Sequence, residues 1–127
     1  MKLLAAHPVF LVADIMSTIL WYQEALGFEG DAFPSSPPHF FGILRKDNVV
    51  IMLQMLEAYR KPELYEHREG GVWNVYVRTD AVRPLFTSLS SRSDVTVLEP
   101  LRVQPYGETE FVIRDPNGYV LVFAQRE

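Results

Sequence analysis

The chain has 127 residues, 48% of them hydrophobic and 22% charged, a composition that suits one soluble globular domain with a sizeable core. Its net charge of −4 supplies no basic footprint for nucleic acid and argues against an anionic membrane surface as partner. Without cysteine there is no disulfide framework and no thiolate metal site. The opening Met1-Lys-Leu-Leu-Ala-Ala6 is interrupted by His7, Pro8 and Asp14 too early for a signal peptide. No stretch approaches the roughly 18 uninterrupted apolar residues of a membrane span. A cytoplasmic protein is expected.

Taken in chain order, Val9 and Leu11 with their apolar neighbours predict a short strand covered on both faces. Asp14 offers a side-chain oxygen to a helix start. Ile15, Ile19, Tyr22 and Leu26 then recur on one helical face, and Gly27 suits the left-handed position after it. Residues 27–32 are a candidate extra strand and 33–38 a Pro- and Ser-rich loop. Strands are expected over 39–44 and Val49–Met55, joined by a turn at Lys46-Asp47-Asn48. Residues 56–71 read as a charged connector carrying a short helical turn. Asp80 is expected to cap a second helix with Val82, Leu85, Phe86 and Leu89 on one face, and Pro84 is tolerated because it falls in the first turn. A strand over 95–98, a loop over 100–107 and a hairpin of 110–114 with 119–125 complete the chain. Asp115-Pro116-Asn117-Gly118 is a strong turn signal for that hairpin.

Two pairs of segments repeat. Residues 7–14 and 73–80 both close on an Asp at a spacing of 66 (80 − 14), and residues 41–54 resemble 111–124 at a spacing of 70 (111 − 41). The chain therefore reads as two modules, about 1–60 and about 68–127, with a ligand expected where the two copies face each other. The offsets pair His7 with Trp73 and Met52 with Val122. Strand parity adds Val9, Val50, Gln54, Val75, Val120 and Ala124 to the same faces. One imidazole amid an indole, a thioether and aliphatic groups makes a surface for something aromatic or apolar. The plainer alternative keeps Trp73 and Met52 as core and His7 as a hydrogen-bonded structural histidine. His39 and His67 are expected in solvent.

The run His7-Pro-Val-Phe-Leu-Val-Ala-Asp14, followed by Trp21-Tyr-Gln-Glu-Ala-Leu-Gly-Phe28 and closed by the hairpin at 111–123, resembles the vicinal oxygen chelate superfamily. Its members include glyoxalase I, extradiol dioxygenases and bleomycin-resistance proteins. The resemblance implies an α+β fold of two paired βαβββ modules forming an open β-barrel around a cavity. In metal-dependent members four side chains project into that cavity, and the matching positions here are His7, Met52, Trp73 and Val122, or Gln54 for Met52 after a register slip. Only His7 among the four is an ordinary ligand, so no metal and no cofactor is expected.

Pro105-Tyr-Gly-Glu-Thr-Glu-Phe-Val-Ile-Arg-Asp-Pro-Asn-Gly118 resembles the bleomycin-resistance branch in particular, where Tyr106 lies on a loop over the cavity. That likeness implies a metal-free homodimer that captures an aromatic small molecule at His7, Met52, Gln54, Trp73, Tyr106 and Val122. Glu108, Glu110 and the net charge are compatible with a cationic ligand. The alternative reading is a lyase or oxygenase of the superfamily, using an unrecognised metal site or His7 as general base.

Overall fold

Asp14 ends the first strand and starts the first helix: its Oδ1 accepts the Ser17 N–H at 2.8 Å, which satisfies one of the helix's free donors. In the computed structural model, which describes residues 1–127, that helix is α1 (Ile15–Leu26), preceded by β1 (Val9–Val12). Gly27 closes α1 at φ 75°, and its N–H returns to the Gln23 carbonyl. Three strands follow: β2 (Glu29–Phe33), β3 (Phe41–Lys46) and β4 (Val49–Met55). The sheet order is β1-β4-β3-β2, with β1 parallel to β4 and the other pairs antiparallel. The candidate strand over 27–32 is thus a real edge strand.

These residues belong to a first compact unit, Met1–Arg60. One face of its sheet presents Phe10, Val12, Leu44, Ile51 and Leu53, all buried, to Ile15, Ile19, Tyr22 and Leu26 of α1. Gly30 allows this approach, since a Cβ there would stand 2.5 Å from Ile19 Cγ2. The opposite face is open, with Val9 49% exposed. The expected covering of β1 on both faces is not found, because its alternate side chains have no layer of their own unit above them.

The second unit, Lys61–Glu127, repeats the order. A single 3₁₀ turn at Tyr65–His67 supplies the helical turn expected in the connector. Then come β5 (Val75–Arg78), α2 (Val82–Ser90), β6 (Thr96–Val103), β7 (Thr109–Arg114) and β8 (Val120–Gln125), in the sheet order β5-β8-β7-β6. Phe111 stacks on Phe123 and meets Phe86 of α2 edge-on, with ring centroids 5.3 and 5.2 Å apart. Asp115 closes the hairpin by accepting the Asn117 and Tyr119 N–H groups, and Gly118 takes φ 92°. The α+β fold of two βαβββ modules is therefore present, each with its own four-stranded sheet.

Three local expectations give way. Residues 100–107 are not wholly a loop, because β6 continues to Val103 with register shifts around Glu99 that accommodate Pro100. The N-cap of α2 is Ala81, not Asp80, and its side chain makes no capping bond. Pro84 occupies the third helical position, so the N–H that Ser17 supplies in α1 has no counterpart in α2, and the Ala81 N–H is taken by Thr79 Oγ1 at 3.1 Å. Instead the Gln125 side chain accepts from Val82 N at 3.0 Å and donates to the Asp80 carbonyl at 3.0 Å.

The third concerns the repeat. Met52 lies beside Val9, whereas Val122 lies beside Tyr76. With β4 and β8 aligned at 70, β1 and β5 therefore align at 67 (76 − 9). The structural counterpart of His7 is Asn74 rather than Trp73, and the counterpart of Asp14 is Ala81. Val75, paired with Leu121, falls on the α2 side and leaves the opposite face to Tyr76.

Candidate functional site

The face of the second sheet turned away from α2 is built by alternation. Tyr76 and Arg78 on β5, Val120, Val122 and Ala124 on β8, and Glu110 and Val112 on β7 all point away from α2. Val112, Val120 and Val122 form its buried floor, with Tyr65, Tyr76 and Leu98 packed against them. The side chains between β5 and β7 are small, with Ala124 in line between Arg78 and Glu110. Long side chains from β5 can therefore reach across β8 to β7.

They reach two buried carboxylates. Glu108 and Glu110 are only 3% and 1% exposed. The Tyr76 hydroxyl donates to Glu110 Oε2, and the Tyr106 hydroxyl donates to Oε1 at 2.6 Å. Arg78 Nη1 pairs with Glu108 Oε1, which leaves Glu108 Oε2 buried with no hydrogen-bond partner. Ionised carboxylates tolerate such burial only when donors surround them. Two carboxylates against one guanidinium leave the cluster a formal charge of −1.

Aromatic surface borders the charge. The Arg78 guanidinium lies 5.5 Å from the Tyr76 ring centroid, over the ring, and Trp73 lies 5.7 Å from Tyr76 on a tilted plane. Trp73 and Tyr106 are 41% and 52% exposed. Tyr106 sits on a tight turn, where the Gly107 N–H bonds the Gln104 carbonyl at φ 94° and Arg126 Nη2 bonds the Tyr106 carbonyl at 2.9 Å. Burial, followed by hydrogen bonding to Glu110, pushes the Tyr106 phenol up to about 12. The same causes raise the Tyr76 phenol further, so both remain donors to the carboxylate at neutral pH.

The residues singled out in the sequence are distributed unevenly over this geometry. Val122 is fully buried in the floor, Tyr106 is bound to Glu110, and Trp73 stands beside Tyr76 just before β5. Met52 is half-buried on the open face of the first sheet, Gln54 on the same strand is exposed, and His7 is exposed ahead of β1. His39 is half-buried, with Nδ1 2.7 Å from the Pro34 carbonyl, and His67 is exposed. Tyr76 and Arg78 were not singled out, although a repeat spacing of 67 would have placed them on the floor strand's face. The pair Glu108 and Glu110, two apart and so on one face of a strand that continues into Phe111-Val-Ile113, carries the same signal.

Neither unit by itself presents a donor set suited to a divalent metal ion. At the four superfamily positions as the strands pair, His7 and Asn74 offer nitrogen or oxygen, Met52 a soft thioether and Val122 nothing. Within either unit no group of three or more His, Cys, Asp and Glu residues comes together to hold a metal.

This duplicated βαβββ architecture with a polar-aromatic sheet face defines a class. The Glyoxalase/Bleomycin resistance protein/Dioxygenase superfamily model matches residues 5–123, and the chain belongs to that superfamily. Among solved structures it is similar to the bleomycin-binding protein of bleomycin-producing Streptomyces verticillus in complex with copper(II)-bleomycin, at 20% identity and TM-score 0.70, covering 100% of this chain and 99% of that one. TioX from Micromonospora sp. ML1 superposes with TM-score 0.72 at 18% identity, over 97% of this chain and 100% of that one. A glyoxalase-related enzyme from Clostridium phytofermentans does so with TM-score 0.76 at 16% identity, over 100% and 98%. No curated protein sequence gives a significant match. No helix is long and apolar enough to cross a membrane.

Proposed function

We propose that this chain is a small-molecule binding protein that captures an aromatic ligand on the exposed aromatic border of its second sheet, on the side turned away from α2, without a metal ion, and works as a cytoplasmic homodimer. The observation that carries the reading is the aromatic group Trp73, Tyr76 and Tyr106 gathered beside a valine floor, with Trp73 and Tyr106 still substantially exposed. Stacking a ligand ring there removes apolar area from water worth about 1.5–3 kcal/mol for one ring, before the ligand's remaining contacts are added. The Streptomyces relative, solved with copper(II)-bleomycin, supports a binding role for the fold. The donor set supports binding over metal-assisted chemistry, since Met52 and Val122 stand where ligands would be needed.

A panel of aromatic compounds screened by tryptophan fluorescence of the wild type, with the best ligand then titrated by calorimetry into wild type and the Trp73 variants because Trp73 is itself the fluorescent reporter, tests this. Trp73→Ala is expected to weaken the best ligand at least tenfold, about 1.4 kcal/mol. Trp73→Phe should retain most of the affinity. Unchanged binding by Trp73→Ala, or no saturable quenching by any aromatic compound, overturns the reading.

A further inference from the structure

The chain already holds a planar cation on the proposed ligand face, and that cation is its own. The Arg78 guanidinium lies over the Tyr76 ring and pairs with the buried Glu108. Its attachment is lopsided: the Arg78 side chain is 66% exposed, while that of Glu108 is 4% exposed. One oxygen of Glu108 is taken and the other, Oε2, is buried without a donor. A guanidinium that used its fork would satisfy both oxygens, as bidentate pairs do. The nearby Tyr76 and Tyr106 hydroxyls do not serve it, since each donates to an oxygen of Glu110.

We propose that Arg78 is an internal placeholder, and that the site's ligand is an aromatic amidinium or guanidinium that replaces it on Glu108 and over Tyr76. The inference rests on the proposed aromatic-binding function and adds the chemical class of the ligand's polar end. A planar N–C–N cation presents two parallel N–H groups, matching both Glu108 oxygens where Arg78 engages one. Its attached ring continues over Tyr76 toward Trp73, which lies 5.7 Å from Tyr76. The cluster's formal charge is unchanged by the exchange, because one cation leaves Glu108 as another arrives. Arg78 swings into water at small cost because most of it is already there.

Benzamidine and its neutral isostere benzamide, titrated by calorimetry against wild type, Arg78→Met, Arg78→Lys and Glu108→Gln, test the proposal. Expected is at least tenfold tighter binding of benzamidine than of benzamide by wild type. Arg78→Met should tighten benzamidine severalfold by removing the competitor, with Arg78→Lys in between, as a cation without the fork. Glu108→Gln should erase the preference for benzamidine. Far-UV circular dichroism checks the fold of each variant, and Arg78→Lys keeps the test open if Arg78→Met unfolds. Equal binding of the two probes by wild type and by the Arg78 variants overturns the placeholder while leaving aromatic capture standing. Binding of neither probe, together with no aromatic hit in the fluorescence panel, overturns both.

Discussion

At the scale of single residues, two buried carboxylates set the chemistry of the second sheet's face turned away from α2. Each is held by donors that reach it from elsewhere in the sequence: Tyr76 and Arg78 from β5, and Tyr106 from the turn before β7. This arrangement titrates in a definite direction. Tyr76 and Tyr106 are raised above the ordinary phenol value of about 10 by burial and by Glu110, so the folded state keeps protons that the unfolded chain releases. Their contribution to stability is complete below about pH 10 and is lost as pH rises from there through the folded-state values. Absorbance titration is expected to show these two among the last of the six tyrosines to ionise. Tyr76→Phe should remove one late step and flatten the fall in urea midpoint above pH 10. A Tyr76→Phe protein with the wild-type alkaline slope would contradict this account. Sequence reading reached Tyr106 and noted both glutamates, but could not pair them with Tyr76 because that contact spans 34 residues and depends on strand register.

At the scale of elements, α1 and α2 show which signals are local. The start of α1 was legible because Asp14 and Ser17 lie three residues apart and carry the whole capping interaction between them. The start of α2 was not, since its capping group is Gln125, delivered by the last strand of the chain. The same one-residue misplacement made 66 look like the repeat spacing and set Trp73 against His7. The prediction at this scale is that Gln125→Ala destabilises the protein by about 1–3 kcal/mol, because the fully buried Val82 loses its N–H partner. Gln125→Glu keeps an acceptor near the helix N-terminus and should cost less, which a urea series on the three proteins would resolve. A neutral Gln125→Ala would mean that water caps the helix equally well.

At the scale of the whole molecule, the two units share a topology and differ in how far the sheet face turned away from the helix is covered. By strand pairing Val9, Ile43 and Met52 correspond to Tyr76, Val112 and Val122. In the second unit this face is packed by Tyr65 and Leu98 of its own chain segment, and Val112 and Val122 are 4% and 0% exposed. In the first unit Val9 and Phe33 remain 49% and 45% exposed, and Ile43 and Met52 are only half-buried. Contiguous apolar surface of this kind is characteristic of an interface. A second copy of the chain fits this face, because the edge strand β2 and its neighbour β3 carry both signs of charge side by side, Asp31 and Arg45 paired at 3.2 Å. A two-fold axis brings such an edge against its own complement. Sedimentation equilibrium is therefore expected to return a dimer at micromolar concentration. Ile43→Glu should shift it to monomer with the fold intact, since Ile43 points away from α1 and its substitution leaves Leu44, Ile51 and Leu53 in place. A wild-type monomer throughout that range, or an Ile43→Glu dimer of unchanged affinity, would remove this face from consideration as the subunit contact.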